Sequence, residues 1–239
     1  MNKAVRNVST IKQVEDKISV IILAAGEANR MRSTGPRPLI RISSQHSVIS
    51  YQLSMIRKTF PHAEIILVCG HDADRVMNNT PNDIIKVENE NYLNNNVNRS
   101  IGLGLRAATG NVILVIYGDL IFSFDSIHSI DPSRSSVVVD SGGLLSSEEV
   151  GCTFNDNGMA EKLFYDLPNK WAQIICVRDK ELELLRKVSW DRTKEKWFGF
   201  ETINEIIDAG GLLAHHTTKK TKVIDIDSVK DLLNVKKII

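Results

Sequence analysis

The stretch that most limits what this chain can become is Val20-Ile21-Ile22-Leu23-Ala24-Ala25-Gly26. Its apolar run is short, rich in β-branched residues and unbroken, which fits a strand covered on both faces. Gly26 ends the run and lets the backbone turn sharply, so several N–H groups can converge on one anion. Arg30 and Arg37 follow in a polar segment, and each guanidinium can fork across two phosphate oxygens. The residues alone leave two readings open. One is a phosphate-binding loop at the carboxyl end of a buried first strand; the other is an ordinary strand exit with two solvated arginines.

The first half continues in the same vein. Apolar spacing predicts a helix over 48–60, stopped by Pro61, then a strand over 64–69 ended by Gly70. A short helix over 72–77 and a strand over 84–87 follow. After an asparagine-rich loop, Ser100 is a good N-cap for a helix over 100–108. A strand over 112–117 then runs into Gly118-Asp119. Such alternation predicts a Rossmann-like α/β fold, a mixed but mostly parallel sheet with helices on both faces. Ligands of such sheets sit at the carboxyl ends of the strands, where Gly26 and Asp119 both fall. Gly102-x-Gly104 lies inside a helix and lacks a third glycine, so it is no dinucleotide fingerprint.

The second half predicts strands over 136–140, 150–154, 171–177, 212–215 and 222–226, with helices over 179–187, 201–207 and 229–235. No repeat or long linker interrupts it. One domain over 19–239 is expected, preceded by a polar extension over 1–18, partly helical from 10 to 16. The formal net charge of +1 argues against a dedicated nucleic-acid binder. No apolar run reaches the roughly 18 residues of a membrane span, and the N-terminus is too polar for a secretory signal. Cys69, Cys152 and Cys176 are widely spaced and read as buried thiols of a cytoplasmic protein.

Leu23-Ala24-Ala25-Gly26, then Arg30-Met31, then Pro36-Arg37-Pro38-Leu39 resembles the signature of the nucleotidyltransferases with a glycosyltransferase-A-like fold. That family includes sugar-phosphate nucleotidylyltransferases, phosphocholine cytidylyltransferases and molybdenum-cofactor nucleotidyltransferases. Its pattern is L-A-A-G-x-G-x-R-M followed by P-K-x-L. Ala28 stands here where a second glycine is usual, and Arg37 where the lysine is usual. Val115-Ile116-Tyr117-Gly118-Asp119 resembles the family's second motif, whose aspartate holds magnesium. Asp225-Ile226-Asp227, ahead of the last helix, resembles its closing motif.

Residues two apart in a strand share a face, and two carboxylates side by side repel unless a cation lies between them. Helix capping is the competing use, with Asp227 or Ser228 as cap and Asp231 completing the box. Of the pair, Asp227 is the stronger candidate ligand.

The resemblance implies a Mg2+-dependent transfer of a nucleoside monophosphate from a nucleoside triphosphate, CTP being favoured, to a small phosphorylated acceptor with release of pyrophosphate. The acceptor would be a sugar phosphate or phosphocholine-like. By the same resemblance, Leu23, Ala24, Ala25, Gly26, Asn96 and Ser100 contact the nucleotide. Arg30 grips the β- and γ-phosphates, and Arg37 lies over the α-phosphate or the acceptor. Asp119, Asp225 and Asp227 hold the metal. Tyr165 and Trp197 fall in the half where the family keeps its acceptor site. The aromatics Tyr165, Trp171, Trp190 and Trp197 could cage a quaternary ammonium beside Asp191, or simply pack in the core or an interface. No general base is needed, because the acceptor phosphate is already ionised. His215-His216 has no ligand partner at a telling spacing and reads as inert. Two rivals stand beside this reading: a glycosyltransferase of the same fold using Asp225-x-Asp227 as a metal motif, and a non-catalytic nucleotide-binding module.

Overall fold

Strand β1 (Ile18–Ala24) is the centre of the molecule because each of its faces has a helical layer to bury against. Val20, Ile22 and Ala24 pack with Ile49, Leu53 and Ile56 of helix α1 (Val48–Thr59). Ile21 and Leu23 point the other way, onto Ile101 and Leu105 of α3 (Val97–Ala107). A computed structural model gives this architecture and describes residues 16–27, 35–140, 142 and 148–238. Most of the expected extension over 1–18, together with Ala28 and Arg30, lies outside the described residues.

Around β1 the chain builds a seven-stranded sheet, adding in chain order β2 (Glu64–Cys69), β3 (Ile85–Glu88), β4 (Val112–Tyr117), β6 (Ser136–Val139), β9 (Trp171–Arg178) and β10 (Ala214–His216). The order across it is β10-β6-β9-β4-β1-β2-β3. Only β9 runs against its neighbours β4 and β6; the other pairs are parallel. Helices α1, α2 (Ala73–Asn78) and the short α4 (Asp125–His128) cover one face. On the other face α3 is joined by α5 (Asp179–Trp190) and α6 (Gly199–Asp208). The mixed, mostly parallel α/β sheet expected from the alternation is present. All three cysteines are buried and free.

Gly102 and Gly104 owe their places to close packing. A Cβ on Gly104 would fall 2.5 Å from Ile21 Cγ2, and one on Gly102 would fall 2.4 Å from the Ser189 carbonyl oxygen. Bare backbone lets α3 lie directly on β1 and α5.

Several boundaries differ from the sequence reading. Helix α3 begins at Val97, not at Ser100, with Asn96 as its cap; the Asn96 side chain accepts from the Val97 N–H at 2.9 Å. Asparagine caps as well as serine does, and the turn is pinned by Asn98, whose amide donates to Val188 and Lys194 carbonyls. Strand β5 (Leu120–Phe122) was not expected. It pairs antiparallel with β11 (Val223–Asp225) in a separate two-stranded ribbon, so β11 is not part of the main sheet. Strands β7 (Val150–Phe154) and β8 (Ala160–Tyr165) form a hairpin. Only Ala160 and Leu163 of β8 are buried, too sparse a pattern to read as a strand. The last helix, α7 (Val229–Asn234), starts at Ser228 with Asp231 closing the capping box. Ser228 takes the capping role, leaving the Asp227 carboxylate out of it.

Candidate active site

The turn between β4 and β5 carries Asp119 and is tied to the end of β1. The Gly118 N–H donates to the Leu23 carbonyl at 2.8 Å, and a Cβ on Gly118 would press within 2.9 Å of Ala24 Cβ. Fully buried Gln52 of α1 clamps the turn from behind, its amide donating to the carbonyls of Tyr117 and Leu120 at 2.9 and 2.8 Å. The Ile226 N–H donates to the Asp119 carbonyl at 2.9 Å, which draws the closing motif onto the same turn. The end of β1 and both acidic motifs therefore share one rim, at the carboxyl ends of β1 and β4.

Arg37 reaches this rim from a short 3-10 turn, Arg37–Leu39, stiffened by Pro36 and Pro38. One guanidinium nitrogen lies 2.6 Å from Asp119 Oδ2 and the other 3.1 Å from Asp227 Oδ1. The fork thus bridges two of the three expected metal ligands. Arg37 Nε and Asp119 Oδ1 are enclosed without a protein partner. Asp225 is held differently: the neutral amide of Gln173 donates to its Oδ2, while Oδ1 is enclosed and unpartnered. Asp225 and Asp227 thus take different partners, although the sequence placed them on one strand face. Strand β11 ends at Asp225, so Asp227 lies beyond it.

Burial first, and crowding second, raises the proton affinity of Asp119 and Asp225. Burial pushes the Asp225 carboxyl up to about 7; Lys170 opposes it, while Asp119, Asp227 and Glu149 add to it. Burial also raises Asp119, against the pull of Arg37 and with a further push from Asp227. The Tyr117 phenol is raised first by burial, then by Asp119 and Asp225. Burial pulls the Lys170 ammonium down, but Asp225, Glu149 and Asp140 outweigh it and leave its pKa raised.

Among the described residues no cluster of three acidic, histidine or cysteine side chains is gathered as a ready-made metal cage. The donor set nevertheless fits magnesium, which takes one or two carboxylates and fills the rest of its shell with water and substrate phosphate oxygens. Two enclosed carboxylate oxygens, on Asp119 and Asp225, lack partners here.

Of the expected nucleotide contacts, Leu23, Ala24 and Ala25 line the end of β1, and Gly26 follows with open space where a Cβ would be. Beside Ala25 lie three residues that sequence reasoning passed over, Gly70, His71 and Tyr92. The His71 N–H donates to the Ala25 carbonyl at 3.1 Å, and a Cβ on Gly70 would sit between Ala25 and Tyr92. Ser100 is buried at the ends of β2 and β3, where its hydroxyl accepts from Asn89 at 3.1 Å. Asn96 spends its side chain on its cap and its N–H on the Glu195 carbonyl.

Tyr165, Phe164 and Phe198 are exposed and pack around the buried ring of Phe200. This group abuts Tyr117 through Gly199: a Cβ there would meet Tyr117 Oη at 2.0 Å, so only glycine fits. Trp197 instead lies by the start of α3, accepting from Asn98 N–H at 3.1 Å and carrying the Lys194 ammonium over its ring. Trp171 is core and Trp190 is exposed. Gln52, Gln173 and Lys170 were missed because amides and single lysines carry no recognisable pattern in sequence. A concavity of about 680 Å³ opens at the start of β2 and contains none of these acids.

Comparison with known proteins bears on the fold. Residues 20–134 match the MobA-like NTP transferase domain. The bifunctional protein GlmU of Hydrogenovibrio crunogenus is 33% identical over 110 residues, 43% of this chain but only 22% of that protein's length. Among solved structures, the CTP:phosphocholine cytidylyltransferase of Streptococcus pneumoniae superposes with a TM-score of 0.71 at 18% identity, covering 93% of this chain and 99% of that one. The inositol-1-phosphate CTP transferase of T. maritima gives 0.74 at 18% identity, covering 93% and 96%. The fold is therefore that of the nucleotide-diphospho-sugar transferases, and residues 20–134 are similar to the MobA-like NTP transferase domain.

Proposed function

We propose that the chain transfers a nucleoside monophosphate from a nucleoside triphosphate to a small phosphorylated acceptor, releasing pyrophosphate. The observation that carries this reading is the Arg37 fork between Asp119 and Asp227, on the rim beside Leu23 and Ala24. Transfer to phosphate oxygen brings two polyanions together, so the protein's task is to neutralise and align them. Asp119 and Asp227, with Asp225 beside them, would hold Mg2+, which supplies positive charge to the α- and β-phosphates when bound. The amides at Gly26 and the Arg30 side chain would grip the β- and γ-phosphates. Arg37, long and permanently charged, would face the α-phosphate or the acceptor phosphate. Leu23, Ala24 and Ala25 with Ser100 and Asn96 would border the base, and Tyr165 and Trp197 would bound the acceptor side.

CTP is favoured as donor because two structures of this fold are named for CTP-dependent transfer. A sugar phosphate or phosphocholine-like compound is the favoured acceptor class. The test is pyrophosphate release from each of the four common nucleoside triphosphates with Mg2+ and a panel of phosphorylated sugars, polyols and phosphocholine. Release that depends on both partners and stops in Asp119→Asn bears the reading out. Its absence with every pair, or hydrolysis of nucleoside diphosphate sugars instead, would overturn it.

A further inference from the structure

We infer that Gln173 is a positioning residue of the proposed site, fixing the Asp225 carboxylate beside Asp119 and Asp227 by means of a strained backbone. The inference rests on the nucleotidyl-transfer reading for its purpose, but its geometry stands separately. Gln173 has φ +55°, in the left-handed region, at the third residue of β9. The other non-glycine residues in that region among those described, Asp72, Asp166, Asn169 and Asp179, are all Asp or Asn. Those short side chains tolerate the conformation, whereas a glutamine does not favour it. The strain coincides with a break in pairing. Val137 faces Ile175 and Val139 faces Trp171, so residues 172–174 of β9 stand against Val138 alone. Pairing with β4 also stops here, at Ile116 opposite Ile174.

A bulge of this kind re-aims a side chain, and strained residues persist where the surroundings over-determine them, often at functional sites. Here the re-aimed amide donates to Asp225 Oδ2 and leaves Oδ1 enclosed and unpartnered. The choice of group matters. Arg37 binds Asp119 and Asp227 with a positive charge, but Gln173 is neutral. It orients Asp225 without cancelling the charge a cation would need. A merely structural partner for a buried acid would have no reason to sit in a strained conformation.

The experiment compares wild type with Gln173→Gly and Gln173→Asn. Glycine relieves the backbone and removes the amide; asparagine suits the left-handed region but is one methylene too short to reach Asp225. Each protein is titrated with Mn2+, followed by electron paramagnetic resonance, in the presence of a non-hydrolysable CTP analogue. Melting temperature and steady-state kinetics are measured alongside. The expected result is Mn2+ affinity about tenfold weaker in both variants and a lower kcat with little change in the nucleotide KM. Melting temperatures should be equal to or above wild type. Unchanged Mn2+ affinity, or a melting temperature that falls in step with activity, would overturn the inference. Wild-type protein that binds Mn2+ and nucleotide yet transfers nothing would sink the proposed reaction and leave the positioning role standing.

Discussion

Arg37 shows what one side chain contributes. Its fork across Asp119 and Asp227 depends on two nitrogens spaced for two carboxylates, a geometry that lysine cannot reproduce. Charge, however, outweighs fork geometry where phosphates must be neutralised. Arg37→Ala should therefore lower kcat by roughly 10²- to 10³-fold, the usual cost of one charged donor to a transition state. Arg37→Lys should retain measurable turnover. Equal rates for wild type and the alanine variant would remove Arg37 from the reaction. A second residue-scale prediction concerns His216. Burial, then Arg134 and His215, hold its pKa below the ordinary histidine value, against Asp131, and its Nε2 lies 3.0 Å from Ser129 Oγ. The unfolded chain then takes up the proton more readily, so stability is lost as pH falls below about 6.5. His216→Gln should flatten the decline in melting temperature between pH 7 and 5. His215, also lowered by burial, would account for what remains. An unchanged decline would assign the pH sensitivity elsewhere.

At the scale of elements, helix α3 is placed by absence of side chains as much as by its apolar face. Gly102→Ala would drive a methyl against the Ser189 carbonyl oxygen, rigid backbone that cannot step aside. Overpacking of this sort costs about 1–3 kcal/mol, read as a lower denaturation midpoint with an unchanged slope. A variant as stable as wild type would show that α5 shifts freely. The same elements show where sequence reading succeeds. Continuous runs such as Val112–Tyr117 are legible because a strand buried on both faces needs every residue apolar. The first-half helices follow with them, since crossovers must cover those faces. Strand β5 was not legible: Leu120, Ile121 and Phe122 are all buried, but the run is three residues long and directly follows Gly118-Asp119. Its partner β11 lies a hundred residues downstream, so only long-range pairing reveals the ribbon. The acids were singled out as candidates by their motifs, whereas Gln52 and Gln173 acquire meaning only through what the fold sets opposite them.

For the whole molecule, ligand binding and stability must move together if the reading of the site is right. A nucleoside triphosphate with Mg2+, at about 100 times its dissociation constant, should add roughly 2.7 kcal/mol to unfolding stability. The nucleotide giving the largest rise in melting temperature identifies the preferred base. No change with any nucleotide would leave the rim without its proposed ligand. How that stabilisation is divided follows from the bridge between Arg37, Asp119 and Asp227. At rest two of the site's acids are in a closed electrical circuit: Asp119 and Asp227 already have a positive partner, and the arginine already has negative ones. A cation arriving alone must evict Arg37 and leave it stranded, and a triphosphate arriving alone must strip the acids of their counter-charge. When both arrive, each repairs the vacancy the other makes. On that reading the rim would work as a coincidence detector, and by linkage each ligand would strengthen the other by the same factor. Mg2+ alone and nucleotide alone should each barely move the melting temperature, while the pair moves it by more than the sum. In Arg37→Ala that synergy should collapse, with Mg2+ alone now stabilising the protein.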